Sequence, residues 1–527
     1  MSDPEKLSSS ALGSPAESDV SGTPAGASTL SLLQRIAKWE DSVGVESRGI
    51  EQVPASQRME ISTSSIIQIA LTWCSINMVA NNMLVGMLGP HVFGLSFKDS
   101  AVIAVLGNLL GCAGPAYIAG YGPGTGNRTL VVLRFVFGWY PAKLCAVLQL
   151  IGTLGYGLLD ALVTGQILSA VSPHGSMTVV VGVIVAAVIV IIVCGVGMKV
   201  FHVYERYQLI PQLMVLCILI GVAGSGFDMS VPSIGDAATV RGNRISFFFA
   251  IFNTTFIWSM CAADYFVYYP VSTPRWLIGS LTHVGIFVGI IISEIIGIGL
   301  ASGAVKEGAW KDALDQGAGT LMVEAFKPLG GFGKFCAVVL ALGPIANTIP
   351  GVYSSALAFQ ILHQKAILIP RFFWTIFGIL LYTVCAIAGR NKLFPIFENF
   401  LALMGYWVAY WVVIQVEDEV LFGWWRRRVE CSGCSGEAQQ GDDSEVHNMA
   451  GYTWTSWNQK TKLPLGLAAI TAFLIAWMGG ILSMYQLWWV GPLGKAAYGD
   501  IGVPVGVAFA AVVYPPLRWC EVRIFRR

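Results

Sequence analysis

The stretch ISFFFAIFNTTFIWSMCAADYFVYYP, residues 245–270, decides how the chain is read. It is long enough to cross a bilayer, which takes ~20 mostly apolar residues in a helix. It is not a featureless anchor, because it carries Phe247, Phe248, Phe249 and Trp258, then the acid Asp264, and closes on Pro270. A carboxylate costs roughly 2.5–3.5 kcal/mol at the centre of a span and less near its end. The segment reads in two ways. In one, a helix end snorkels to the interface; in the other, an aromatic wall with an acid behind it belongs to a transport site.

Composition points to the membrane along the whole chain. Of 527 residues, 55% are hydrophobic and 12% charged, against about 25% charged in soluble domains. Mean hydropathy is +0.65. The formal net charge of +1 argues against a nucleic-acid partner. Most of the eleven cysteines fall in apolar runs and read as small core residues. Cys431 and Cys434 form a lone C-x-x-C without a second pair, so no metal is expected.

Working outward, apolar runs lie near 62–90, 98–121, 141–170, 177–200, 207–227, 245–270, 276–302, 333–363, 368–389, 394–422, 463–488 and 500–520. About twelve spans follow, an all-α membrane protein. The expected organisation is a tail (1–60), a ten-helix core (61–422), a loop (423–462), two more helices (463–520) and a short end (521–527). Residues 1–28 read as disordered, and 30–39 as an amphipathic or capping helix. Arg128, Arg134, Lys143, Arg275 and Arg426–Arg428 fall on the side that holds both termini. The positive-inside rule makes that side the cytoplasm, and the expected location is the plasma membrane.

Three spans carry polar residues that lipid does not tolerate. The first, TWCSINMVANNMLVGMLGP (72–90), contains Ser75, Asn77, Asn81 and Asn82. Amides and glycines together suit an unwound stretch lining a cavity, or hydrogen bonds between helices. The third places Gln149, Thr153, Tyr156, Asp160 and Thr164 on one stripe at spacings of three and four. The eighth, GPIANTIPGVYSSALAFQ (343–360), is interrupted by Asn347, Thr348, Pro350 and Gly351. Interrupted spans in both halves point to an internal repeat with a midplane site. A strict five-helix repeat would instead pair the first span with the sixth and the third with the eighth.

At 114–138, GPAYIAGYGPGTGNRTLVVLRFVFG resembles the fungal purine–cytosine permeases of the nucleobase–cation symporter family. Their G-P-x-T-G-x-R segment is represented by Gly122-Pro123-Gly124-Thr125-Gly126-Asn127-Arg128. VESRGIEQVP (45–54), Trp258 followed by Ala262-Ala263-Asp264-Tyr265, Glu294 within IISEIIG and ENFLALMGYW (398–407) are similar to further signatures. The resemblance covers roughly 44–420. It implies two inverted five-helix repeats (LeuT-like) plus two C-terminal helices, a substrate held between the first, third, sixth and eighth spans, and uptake driven by a cation, in fungi usually the proton.

Residue by residue, the resemblance makes Trp258 the stacking aromatic. Asn347 and Pro350 match an N-N-I-P-N motif, and Ser75 and Asn77 match ligand-contacting positions. This chain departs at Tyr156 (a family Trp), at Asp160 (a family amide) and at Thr348 and Gly351 (two family amides). The substrate-binding set is therefore Ser75, Asn77, Tyr156, Asp160, Trp258, Asn347, Thr348 and Gly351. The proton-coupling candidates are Asp160, Asp264 and Glu294. An ionised Asp only accepts hydrogen bonds, where an amide also donates. The expected function is proton-coupled uptake of a purine base or cytosine, with vitamin B6 as the alternative and a non-transporting nutrient receptor as a further one. An enzyme would need clustered catalytic groups, and the six histidines are scattered. No cofactor is expected besides the coupling ion.

Overall fold

The computed structural model describes residues 48–58, 60, 62–172, 176–196, 198–306, 308–426 and 451–525. The expected tail at 1–28, the helix at 30–39 and the Cys431–Cys434 pair lie outside the described residues. The described chain is helical, with one isolated bridge between Tyr485 and Val490. Eight helices are long and apolar enough to cross a membrane, and one bent pair makes a ninth. Val179–Val196, Ala237–Phe256 and Leu467–Ser483 complete the twelve expected spans.

The first span is Thr63–Asn77 followed by Ala80–His91, bent by 56°. Its break is at Met78 (φ −87°, ψ 65°) and Val79 (φ −136°, ψ 159°), where helical geometry is lost. The second runs Phe97–Gly111 and on through Ala113–Ala119 to Tyr121–Thr125. The third is Pro141–Val171, the fourth Val179–Val196 and the fifth Met198–Ala223. The fifth helix begins before its apolar run at 207–227.

The sixth span is not one helix over 245–270. It starts at Ala237, where the Asp236 carboxylate caps the Thr239 N–H at 2.8 Å, and its α-helix ends at Phe256. Two 3₁₀ turns, Ile257–Met260 and Ala262–Tyr265, continue the chain. The seventh, Arg275–Gly303, is continuous, and short helices Ala309–Gln316 and Ala318–Ala325 fill the expected loop at 303–334. The eighth, Gly330–Leu362, is unbroken despite Pro344 and Pro350, so the expected interruption there is absent. The two prolines remove the N–H bonds to the Leu340 and Ala346 carbonyls, and the helix is held by its other bonds and by its long packing against the third span. The ninth is Arg371–Gly389, the tenth Leu393–Glu417 with a π turn to Phe422, and the twelfth Gly502–Phe525.

The pairings of spans show the repeat. The first packs on the seventh, and the sixth on the second. The third packs on the eighth and the fourth on the ninth, while the fifth meets the eighth as the tenth meets the third. Exchanging one set of five for the next leaves these pairings unchanged. Five is odd, so the second set enters from the opposite side and the repeat is inverted. Close approach needs glycine: a Cβ on Gly297 would lie 1.9 Å from the Met83 carbonyl oxygen of the first span.

One face gathers four distant segments. Val53 N donates to Gly126 O at 2.9 Å and Gln52 Nε2 to Thr125 O at 2.7 Å. Gly126 has φ 65° and a Cβ there would meet Val53 O at 2.4 Å, so a side chain is excluded twice over. Asn127 Nδ2 reaches the Trp454 carbonyl at 3.3 Å. Nearby, Arg275 pairs with Glu419 at 2.5 Å, and Asp418 pairs with Arg426 at 2.7 Å and Arg518 at 3.4 Å. The adjacent acids thus tie the end of the tenth span to the seventh on one side and to the twelfth on the other.

Candidate functional site

A central cavity lies where the first and sixth spans lose helical geometry. The third and eighth spans form its opposite wall through Thr153, Tyr156, Asn347, Thr348 and Gly351. It offers about 20 Å³ to the centres of water-sized spheres, room for about one or two waters. A heterocycle enters only when side chains or spans move apart.

The unwound backbone of the first span is satisfied by amide side chains. Asn347 Nδ2 donates to the Ile76 carbonyl at 2.9 Å, and Asn82 Nδ2 to the Asn77 carbonyl at 2.7 Å. Asn77 Nδ2 returns to the Trp73 carbonyl at 2.9 Å. Backbone groups freed at a break in lipid need such partners. The polar residues that make the first span unusual as a sequence are the ones that allow it to break.

The aromatic side of the cavity is Trp258, 9% exposed, with its Nε1 donating to Asn77 Oδ1 at 3.0 Å. Trp73 meets it edge-on at a centroid distance of 5.3 Å, and Tyr265 meets Trp73 at 5.5 Å. Tyr265 Oη donates to the Pro350 carbonyl at 3.0 Å, linking the sixth span to the eighth. Tyr156 Oη on the third span and Asn81 Oδ1 on the first are buried without hydrogen-bond partners. The amide nitrogens of Asn77, Asn82 and Asn347 each have one proton committed to backbone and keep a second, so the cavity lining holds donors as well as acceptors.

Of the expected contact residues, Asn77, Tyr156, Trp258, Asn347, Thr348 and Gly351 line this cavity. Ser75 and Asp160 are buried but do not line it. Asp160 lies one layer back, where its Oδ2 accepts from Thr348 Oγ1 at 3.0 Å and its Oδ1 has no partner. Two positions at which the chain departs from the fungal pattern are thus in hydrogen-bond contact with each other. Asp264 and Glu294 lie elsewhere. Asp264 Oδ1 accepts from the Thr129 N–H at 2.7 Å, and its carbonyl accepts from Arg128 at 2.6 Å. Glu294 accepts from Asn108 Nδ2, between the second and seventh spans.

Thr254, Met260 and Cys261 also line the cavity and were not expected there. Thr153 was on the polar stripe of the third span, which is the signal that finds it. Cys261 is reached only through the break between the 3₁₀ turns, where its φ is −139° and ψ 2°.

Residues 52–421 match the family described as permease for cytosine/purines, uracil, thiamine, allantoin. The chain belongs to this family. The purine-cytosine permease fcyB of Emericella nidulans is 33% identical, over 95% of this chain and 93% of that protein. The vitamin B6 transporter TPN1 of Saccharomyces cerevisiae is 32% identical over the same shares. Among solved structures, Mhp1, a nucleobase-cation-symport-1 family transporter in a closed conformation with bromovinylhydantoin bound, superposes with a TM-score of 0.61 at 12% identity, covering 91% of this chain and 96% of that one. That likeness shows the fold, two inverted five-helix repeats with two further helices. The permease is a secondary transporter, and its cavity lies at the paired breaks that alternating access uses in such folds.

Proposed function

We propose that the permease takes up a small flat heterocycle, a purine base or cytosine, together with protons. The observation that carries this reading is the cavity itself. Trp258 supplies an indole wall, the broken first span supplies fixed amides and the unpaired Asn81 Oδ1, and Tyr156 supplies an unpaired hydroxyl from the third span. An aromatic face holds any flat ring by stacking, and edge groups choose among rings. Its similarity to purine-cytosine permeases supports the same substrate class.

The proton role falls to Asp160 in preference to Asp264 or Glu294. Asp160 touches the cavity lining through Thr348, whereas the other two acids are engaged at helix contacts away from it. A proton and a substrate that favour the same state are coupled reciprocally. The distribution of basic residues supports cytoplasmic termini.

A second reading, uptake of vitamin B6, is favoured by the same Asp160–Thr348 contact. With its proton directed to Asp160, the Thr348 hydroxyl presents a lone pair to the cavity, which suits a ligand rich in O–H or N–H donors. The similarity to the vitamin B6 transporter supports it as well. Radiolabelled uptake in a transport-deficient fungal cell, competed with bases and with pyridoxine, pyridoxal and pyridoxamine, separates the two. Competition by adenine, hypoxanthine or cytosine alone supports the first, and by the pyridine forms alone the second. Binding without accumulation would indicate a receptor.

A further inference from the structure

A second cavity lies apart from the first, between the sixth span, the tenth span and the connection from the eleventh to the twelfth. Its polar lining is Ser246, Asn253, Tyr406, Gln486 and Asp500. It offers about 30 Å³ to the centres of water-sized spheres, space for a small ion or a water or two and for nothing larger.

Asp500 is 4% exposed and forms no ion pair with a described residue. Its donors are all neutral. Tyr406 Oη, Gln486 Nε2 and the Tyr485 N–H converge on Oδ2, while Oδ1 accepts only the Gly502 N–H, at 2.8 Å. A buried carboxylate without a counter-charge is costly. Asn253, 2% exposed, faces the same cavity with an Oδ1 that is buried and has no partner. Ser246 Oγ accepts the Asp500 N–H at 2.8 Å and retains a second lone pair. What the cavity has to spare is oxygen acceptors around one formal negative charge.

We propose that this cavity binds one monovalent alkali cation, with Asp500 Oδ1, Asn253 Oδ1 and Ser246 Oγ as its protein ligands. One carboxylate among neutral oxygens matches a single positive charge, whereas a divalent ion recruits more acids or keeps several waters. The position gives the cation leverage over transport. Asn253 directly precedes Thr254, which lines the central cavity, and Gly405 of the tenth span is pressed against the Asn253 amide, where a Cβ would fall 1.8 Å from Cγ. A bound ion ties the sixth span directly to the connection before the twelfth, and through the Tyr406–Asp500 hydrogen bond to the tenth. It is a resident ion, distinct from the proton proposed to accompany substrate.

The test is thermal unfolding of the purified full chain, without substrate, in NaCl, KCl or choline chloride at equal ionic strength. Sodium or potassium at 100 mM is expected to raise the melting temperature by about 2 °C or more over choline, saturably. Asp500→Asn and Asn253→Ala are each expected to lose that difference while still melting cooperatively. If Asp500→Asn does not fold, Asn253→Ala decides alone. Identical melting of the parent in all three salts overturns the proposal. Retention of the full cation effect in Asn253→Ala or in folded Asp500→Asn also overturns it, because the ion then binds elsewhere.

Discussion

Trp258 Nε1 donates to Asn77 Oδ1 at 3.0 Å, so the break in the sixth span is hydrogen-bonded to the break in the first. The two residues are 181 positions apart, and both line the central cavity. A ring that stacks on Trp258 is therefore felt by both broken spans at once. In an inverted-repeat transporter, alternating access moves one packed group of spans against the other around a site formed by such broken helices.

Replacing Trp258 separates stacking from that hydrogen bond. Stacking on an aromatic is worth roughly 1–3 kcal/mol, so Trp258→Ala is expected to raise the apparent substrate constant by about tenfold or more. Trp258→Phe keeps a ring but loses the bond to Asn77, worth about 1 kcal/mol, and is expected to raise it about fivefold. Uptake kinetics of tagged variants that reach the cell surface are the measurement. Parental kinetics in Trp258→Ala would rule the stacking role out.

Asn347 and Asn77 support the break as well as facing the cavity. Asn347→Leu leaves the Ile76 carbonyl without its donor, a loss of about 1–3 kcal/mol when such a group stays buried. The expected outcome is a lower melting temperature together with lost uptake. Asn77→Leu removes bonds to Trp258 and to the Trp73 carbonyl and is expected to do the same. A variant that melts like the parent would show that water replaces the missing amide.

The contact between Asp160 and Thr348 predicts non-additivity. Residues sharing a hydrogen bond couple by about 0.5–3 kcal/mol in double-mutant cycles. Asp160→Asn and Thr348→Val are each expected to change the order of inhibitors in the competition panel, and the double variant to change it less than the sum. Asp160→Asn is also expected to flatten the dependence of uptake on external pH. If the inhibitor order and the pH profile both stay parental, Asp160 has only a structural role.

Gly351 reports on ligand size. A Cβ there would lie 3.7 Å from the Thr153 carbonyl oxygen, ordinary van der Waals contact. Gly351→Ala should therefore fold, and in a helix interior it gains about 0.5–1 kcal/mol. It also narrows the cavity. Inhibition by two-ring purines is expected to weaken several-fold more than inhibition by one-ring cytosine or pyridoxine. Equal weakening would mean that the ligand plane does not approach the eighth span.

The bidentate Arg275–Glu419 pair, with Tyr121 Oη 2.5 Å from the same carboxylate, holds the seventh span to the tenth. Lysine cannot reproduce that fork. Arg275→Lys is expected to melt lower than the parent and to transport more slowly at unchanged surface level. Full activity in Arg275→Lys would reduce the contact to a replaceable surface pair.

Much of the site was legible because lipid makes polarity expensive. Asn77, Tyr156, Asn347 and Thr348 stand out from apolar runs, and all four line the cavity. What could not be read was which direction a buried acid faces. Asp264 and Glu294 carry the same signal as Asp160, yet one caps Thr129 and the other accepts from Asn108. A period in the sequence gives the face of a helix and not its neighbour.

The sequence by itself determined the membrane class, the spans and the polar residues that must be buried, because each follows from the local cost of placing a side chain in hydrocarbon. Only the tertiary structure decided that the sixth span breaks while the eighth stays whole, and that Asp160 stands behind Thr348 instead of in the cavity. Those outcomes rest on partners far along the chain, such as the 188 positions between Asp160 and Thr348. A break is tolerated only where a distant side chain reaches its freed backbone, as Asn347 does at Ile76. That reach is set by how the two repeats pack together.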